Sequence, residues 1–222
     1  MGRARKPPVS LSPVKVPAAS RARADRDQEL GERFADALGY AARAHRGQIR
    51  GSDEQPYIGH LVRVAGLVIQ EGGSEDEVIA ALLHDAVEDQ GGLERLHEIR
   101  ARYGSTVAGI VDELSDSYGD PKPPWRRRKE EYVRALAEAS DGALLVSLAD
   151  KLDNVRTMVR GYRLRGQDQW ARSGKTPEDV RWYYGTLASR FADLHPGPLA
   201  DELARTVAEL DTLLDGGTDG SG

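Results

Sequence analysis

The sequence predicts an all-α fold, a compact bundle of roughly eight to ten helices, and three observations carry that expectation. Apolar residues recur at three- and four-residue intervals through most of the chain. No stretch shows convincing two-residue alternation. Clusters of Gly, Pro and Ser divide the chain into segments of helix length.

The elements follow in order. Residues 1–24 are rich in Pro, Ser, Ala and Arg and are expected to be a disordered basic tail. The first predicted helix runs from Asp25 to Ala44, with Leu30, Phe34, Ala37, Leu38 and Ala41 at helical spacing. GQIRGSDEQPY (47–57) has the residues of a loop, and Leu61–Gln70 resumes a helix that Gly72 and Gly73 stop. Ser74 and Glu77 make a capping box before a helix over 76–89, which Gly91 and Gly92 end. Helices over Leu93–Tyr103 and Thr106–Leu114 separate at Gly104. After the loop SDSYGDPKPPW come a charged helix, Arg126–Ala139, and a nearly continuously apolar one, Ala143–Val159. GQDQWARSGKTPED is irregular, and the helices Val180–Leu194 and Pro198–Leu214 precede a Gly/Asp/Ser tail. The expected organisation is thus a single domain over 25–215, between the basic tail of 1–24 and a flexible tail of 216–222.

Composition limits the chemistry. With 222 residues the chain can bury a sizeable core, and it has no Cys, so disulfides and thiolate metal ligands are excluded. The lack of Cys fits a reducing cytoplasm, and cytoplasmic is the expected location. No apolar run reaches the roughly 20 residues that cross a bilayer, so no membrane association is expected. The formal charge is −5, but residues 1–24 hold six basic residues and no acid, which leaves −11 on the rest. An acidic body does not suit stable nucleic-acid binding.

Two helices break the rule that buried faces are apolar. In DEVIAALLHDAVED (76–89), Val78, Ala81 and Leu82 share a face with Asp85 and Asp89, and His84 and Glu88 form the next row. In ALLVSLADKLDNVRTMV (143–159), Ala143 and Val146 share a face with Asp150, Asn154 and Thr157. An arbitrary His-Asp pair is usually a surface pair or a satisfied core histidine, and a lone Asp usually meets an Arg. Several acids on buried stripes beside a His require a cation. Together with His60 in PYIGH, the residues His84, Asp85 and Asp150 form a set of four hard or borderline ligands for one divalent ion, with coordination positions left for water and substrate.

HLVRVAG, ALLHDAVED and LADKLDNVRTM resemble the hydrolase domain of the RelA/SpoT-homologue family and its stand-alone small alarmone hydrolases. The resemblance covers about residues 30–160, and HDxxED with LADKLxNxRT is far more specific than a generic His-Asp pair. It implies an HD-domain bundle and one divalent metal ion, Mn²⁺. The implied reaction removes the 3′-pyrophosphate of (p)ppGpp to give GDP or GTP. It also implies that His60, His84, Asp85 and Asp150 ligate the metal, that Glu88 and Asp89 activate water, and that Asn154 and Thr157 contact substrate. Arg50, at the Arg of a QxR element, is the first candidate for substrate phosphates. Lys151, Arg156, Lys122, Arg128 and Lys129 are weaker candidates, for each of which a solvated face or a structural ion pair is an equal reading. The loop after Arg50 departs from the pattern, with Gly51 and then an acidic Asp53-Glu54 pair.

No stretch suits an alarmone synthetase, so hydrolysis without synthesis is expected, on a small nucleotide, with the oligomeric state left open. The other readings are an HD phosphohydrolase acting on ppApp, NADPH or a similar nucleotide, and a non-catalytic nucleotide-binding regulator. Trp182, Tyr183 and Tyr184 could stack on a base, but packing between helices is the favoured role. His45 is expected to be structural, and His97 and His195 have no assigned role.

Overall fold

The structure is a computed structural model that describes residues 29–50, 55–115, 123–166, 168 and 175–216. Both predicted tails, the Gly51–Glu54 loop and Lys122 lie outside the described residues, apart from the first residue of the C-terminal one. The helices are α1 (Glu32–Ala44), α2 (Ile58–Gln70), α3 (Glu75–Leu83), α4 (Ala86–Gln90), α5 (Gly92–Tyr103) and α6 (Ser105–Leu114), then α7 (Trp125–Ala135), α8 (Asp141–Arg165), α9 (Pro177–Leu194) and α10 (Pro198–Gly216). The all-α expectation holds.

The organising element is α8. Nearly every residue from Ala143 to Val155 is buried, so this helix is surrounded, and it packs against α2, α3, α6, α9 and α10. Its ends are set locally. The Ser140 hydroxyl accepts from the Ala143 amide at 3.3 Å, and Gly166, at φ 58°, takes the left-handed conformation that closes a helix without a Cβ clash. Both ends reach beyond the predicted span of 143–159 because Asp141 and Arg163 are polar without breaking the helix.

The Ser74–Glu77 capping box forms as expected. The Ser74 amide donates to Glu77 Oε2 at 2.7 Å, and the Glu77 amide donates to Ser74 Oγ at 3.4 Å. Thr176 caps α9 in the same way, with Pro177 in the first turn.

Four expectations need correction. The first described helix begins at Glu32 after the non-helical residues 29–31, where Gly31 donates to Glu75 Oε1 at 2.9 Å and Arg33 pairs with Glu75 and Asp76, and residues 25–28 of the predicted span lie outside the described residues. The predicted loop over 47–57 contains a small antiparallel pair, β1 (Ile49–Arg50) and β2 (Gln55–Pro56), too short for a two-residue period to show in sequence. The helix over Arg126–Ala139 ends as an α-helix at Ala135 and finishes in a 3₁₀ turn over Leu136–Glu138. The single helix predicted over 76–89 is two, broken at His84 and Asp85.

Candidate metal centre

Three parts of the fold converge at one end of the buried helix pair. His60 sits in the first turn of α2, His84 and Asp85 form the break between α3 and α4, and Asp150 lies in the middle of α8. Ligand atoms of His60, His84 and Asp150 all lie within 4.8 Å of one another. Asp150 Oδ1 is 3.2 Å from His60 Nε2 and 3.7 Å from His84 Nε2. Asp85 Oδ2 completes the group, 3.5 Å from His60 Nε2 and 3.2 Å from His84 Nε2. The structure therefore brings together all four residues singled out from the sequence.

The break matters to this geometry. Asp85 has φ −93° and ψ −6°, the sparsely populated bridge region between helical and extended backbone. His84 Nδ1 donates to the Ala81 carbonyl at 2.8 Å, which turns Nε2 toward the centre. That Nε2 is buried and has no hydrogen-bond partner, although two carboxylates flank it. Two imidazole nitrogens and two carboxylates converging on one point are the donor set of a cation, so the residues present fit a divalent metal ion.

Each ligand is held from behind. Tyr57 OH donates to Asp85 Oδ2 at 2.6 Å, and the Tyr57 ring stacks on the buried His45 at a centroid distance of 5.2 Å. His45 is structural, as expected, with its Nδ1 on Gln48 Oε1 at 2.7 Å. Asp150 accepts from Lys151 Nζ at Oδ2 and from Asn154 Nδ2 at Oδ1, both at 2.5 Å. His60 Nδ1 donates to Asp153 Oδ2 at 2.7 Å. Sequence reading passed over Tyr57, Asp153 and Arg63. Asp153 was within reach of it, since it follows Asp150 by three residues on a helix already read as buried.

The electrostatics follow from this packing. Burial works against the charge on both imidazoles, but hydrogen bonds to Asp150, Asp153 and Asp85 outweigh it and raise His60 to about 9. His84 rises well above the ordinary histidine value, also against burial, through the negative charges of Asp85 and Asp150 beside it. Burial works against ionisation of Asp85 and Asp150 as well. The His84 charge beside Asp85 and the Lys151 charge beside Asp150 lead the opposing effects, and both carboxyls stay well below the usual carboxylate range.

The centre opens into a cleft of ≈ 140 Å³ lined by all four residues together with Tyr57, Glu88, Lys129, Tyr132, Lys151 and Asn154 among others. Glu88 thus faces the centre, while the Asp89 side chain lies outside the described residues. Arg50 reaches the same region and donates to Asp153 Oδ2 at 2.9 Å and to Asn154 Oδ1. Thr157 is buried on α8 a turn further on and does not line the cleft. Of the weaker phosphate candidates, Arg156 pairs with Glu202 on α10, away from the centre. Tyr183 and Tyr184 are buried and do not line the cleft; Trp125 meets Tyr183 at 5.6 Å and Trp182 at 6.2 Å, so these rings pack α9 against α7.

Comparison with known proteins agrees with this geometry. A family profile described as an HD domain matches residues 37–177. The guanosine-3′,5′-bis(diphosphate) 3′-pyrophosphohydrolase MESH1 of Homo sapiens is 41% identical over 146 residues, covering 61% of this chain and 79% of that protein. The MESH1 of Drosophila melanogaster is 36% identical over 145 residues, covering 62% and 78%. A solved structure of a metazoan ortholog of SpoT that hydrolyzes ppGpp and plays a role in starvation responses superimposes with a TM-score of 0.58 and 28% identity, over 88% of this chain and 99% of that one. The chain belongs to the HD-domain family, in the group that holds the MESH1-type guanosine-3′,5′-bis(diphosphate) 3′-pyrophosphohydrolases.

Proposed function

We propose that this protein is a metal-dependent phosphohydrolase that removes the 3′-pyrophosphate of (p)ppGpp, giving GDP or GTP and pyrophosphate. The observation that carries this reading is the buried, unpartnered His84 Nε2 among His60, Asp85 and Asp150, in a chain 41% identical to a protein named for that reaction. In this reading His60, His84, Asp85 and Asp150 hold one ion, Mn²⁺, in a domain spanning 25–215, and the protein works in the cytoplasm as a hydrolase. Among the described residues no helix is long and apolar enough to cross a membrane.

A divalent ion in this centre would supply positive charge against the attacked phosphoryl group and make a water more acidic. The side chains of the cleft supply the rest. Glu88, with Asp89 beside it, takes the proton of the attacking water as the water oxygen bonds to phosphorus. The bond to the ribose 3′-oxygen breaks, and that proton returns to the 3′-oxygen to leave a hydroxyl and free pyrophosphate. Lys129 and Lys151 line the cleft and offset the charge of the remaining phosphates. Burial lowers Lys175 below the ordinary lysine value, and the nearby charges of Lys129, Lys151, Arg128 and Arg50 add to the effect. Cations gathered at this side of the centre suit a polyanionic substrate. Asn154 and Arg50, bonded to each other at the mouth of the centre, are the substrate contacts of this reading, with Thr157 deeper on the same helix.

The test is to incubate Mn²⁺-loaded protein separately with ppGpp, ppApp and NADPH and follow release of pyrophosphate or phosphate. Release of pyrophosphate and GDP from ppGpp is the expected result. Turnover of another nucleotide but not ppGpp would refute the substrate and leave the metal centre standing. Binding of all three without product would make the protein a nucleotide-binding regulator.

A further inference from the structure

We propose that Asp153 is a positioning residue that fixes His60 for metal binding and couples that ligand to Arg50; the inference rests on the reading of His60 as a ligand. Asp153 occupies the variable position of LADKLxN, yet only 3% of it is exposed and both its oxygens are engaged. Oδ2 accepts from His60 Nδ1 at 2.7 Å and from Arg50 Nη1 at 2.9 Å. Arg63 Nε donates to Oδ1 at 2.6 Å, and Arg63 Nη2 donates to Oδ2 at 3.1 Å.

A buried carboxylate needs such partners, because an unpaired charge away from water is strongly unfavourable. Here the partners divide the work. Arg63, with 44% of its side chain exposed, anchors the carboxylate from the solvent side. His60 Nδ1 is then committed as a donor, which points Nε2 into the centre, 3.2 Å from Asp150 Oδ1 and 3.5 Å from Asp85 Oδ2, where a bound ion would take its lone pair. The other imidazole gets the same orientation from a neutral acceptor, the Ala81 carbonyl at 2.8 Å. Only His60 has an anion behind it, so it is the more strongly donating nitrogen of the pair. The shared Oδ2 also ties the hairpin residue Arg50 to the ligand, and one carboxylate sets the position of both.

The experiment measures Mn²⁺ affinity of the full chain by titration, and the visible spectrum of the Co²⁺ form, for wild type, Asp153→Asn and Arg63→Gln. Circular dichroism and temperature below all melting transitions ensure that folded protein is compared. Asp153→Asn is nearly isosteric, and Asp153→Ser, with room for a water, serves as a second variant with the same expectation. Both are expected to bind Mn²⁺ about 10–100-fold more weakly with an altered Co²⁺ spectrum. Arg63→Gln is expected to melt earlier and to lose less Mn²⁺ affinity than either Asp153 variant, because His60 Nδ1 keeps its anionic acceptor. Wild-type affinity in both Asp153 variants would overturn the proposal, as would an equal loss in Arg63→Gln, which would reduce Asp153 to a structural anchor. Wild-type protein that bound no Mn²⁺ would overturn the metal centre and this inference with it.

Discussion

Metal binding by this protein should release protons, and the number can be worked out from the centre. In the metal-free protein His60 titrates at about 9, and His84 is raised well above its ordinary value. At pH 7 a group with that His60 value is protonated on the order of 100 to 1. Asp85 and Asp150 are already ionised, being held well below the usual range. A metal ion accepts only neutral imidazole, so each ion bound at pH 7 should expel about two protons, and apparent affinity should rise roughly 100-fold per pH unit while both remain charged. Calorimetric titration with Mn²⁺ in buffers of different ionisation enthalpy counts these protons directly. Release of none, with affinity flat between pH 7 and 8, would show that the imidazoles are neutral without the metal and refute the reasoning. The same shift has a consequence for stability. A histidine raised from 6.5 to about 9 in the folded state stabilises it below pH 6.5, and that contribution, up to about 3 kcal/mol, is lost as pH rises through 9. Metal-free protein should therefore melt at lower temperature at pH 9 than at pH 6.5.

Asp85→Ala should abolish stoichiometric metal binding, checked by elemental analysis, and lower kcat/KM by about a thousandfold or more, because several kcal/mol of barrier lowering depend on the ion. Glu88→Gln should keep metal content while kcat falls about 100- to 10,000-fold, the range for loss of a general base, read by pyrophosphate release. Ser74→Ala removes one half of the capping box on α3 and should lower stability by about 1 kcal/mol in denaturant titration without changing KM.

The helical architecture and the four convergent residues were legible in the sequence because each rests on a short-range pattern. The Ser74–Glu77 box needs four consecutive positions, and the polar residues of 84–89 and 150–157 stand out against apolar neighbours within one or two turns. What the sequence did not disclose depends on contacts across the fold. Asp153 gains its meaning from Arg50, Arg63 and His60, 90 to 103 residues away. Tyr57 precedes a ligand by three residues, but its hydroxyl serves a different ligand 28 residues on. The aromatic run 182–184 was read as packing between helices, but its partner, Trp125 on α7, could not be named from the sequence.

The interruption at His84 and Asp85 has a wider bearing. Successive side chains on an unbroken helix diverge by about 100°, so neighbours in sequence cannot both face one small ion. Here two adjacent residues do so because the helix stops at the first and restarts after the second. A His-Asp dipeptide is therefore informative only where the chain can turn. A helix-straightening change in this segment would dismantle the centre without touching a ligand, although the helix-forming residues on both sides give no sign of the break in sequence.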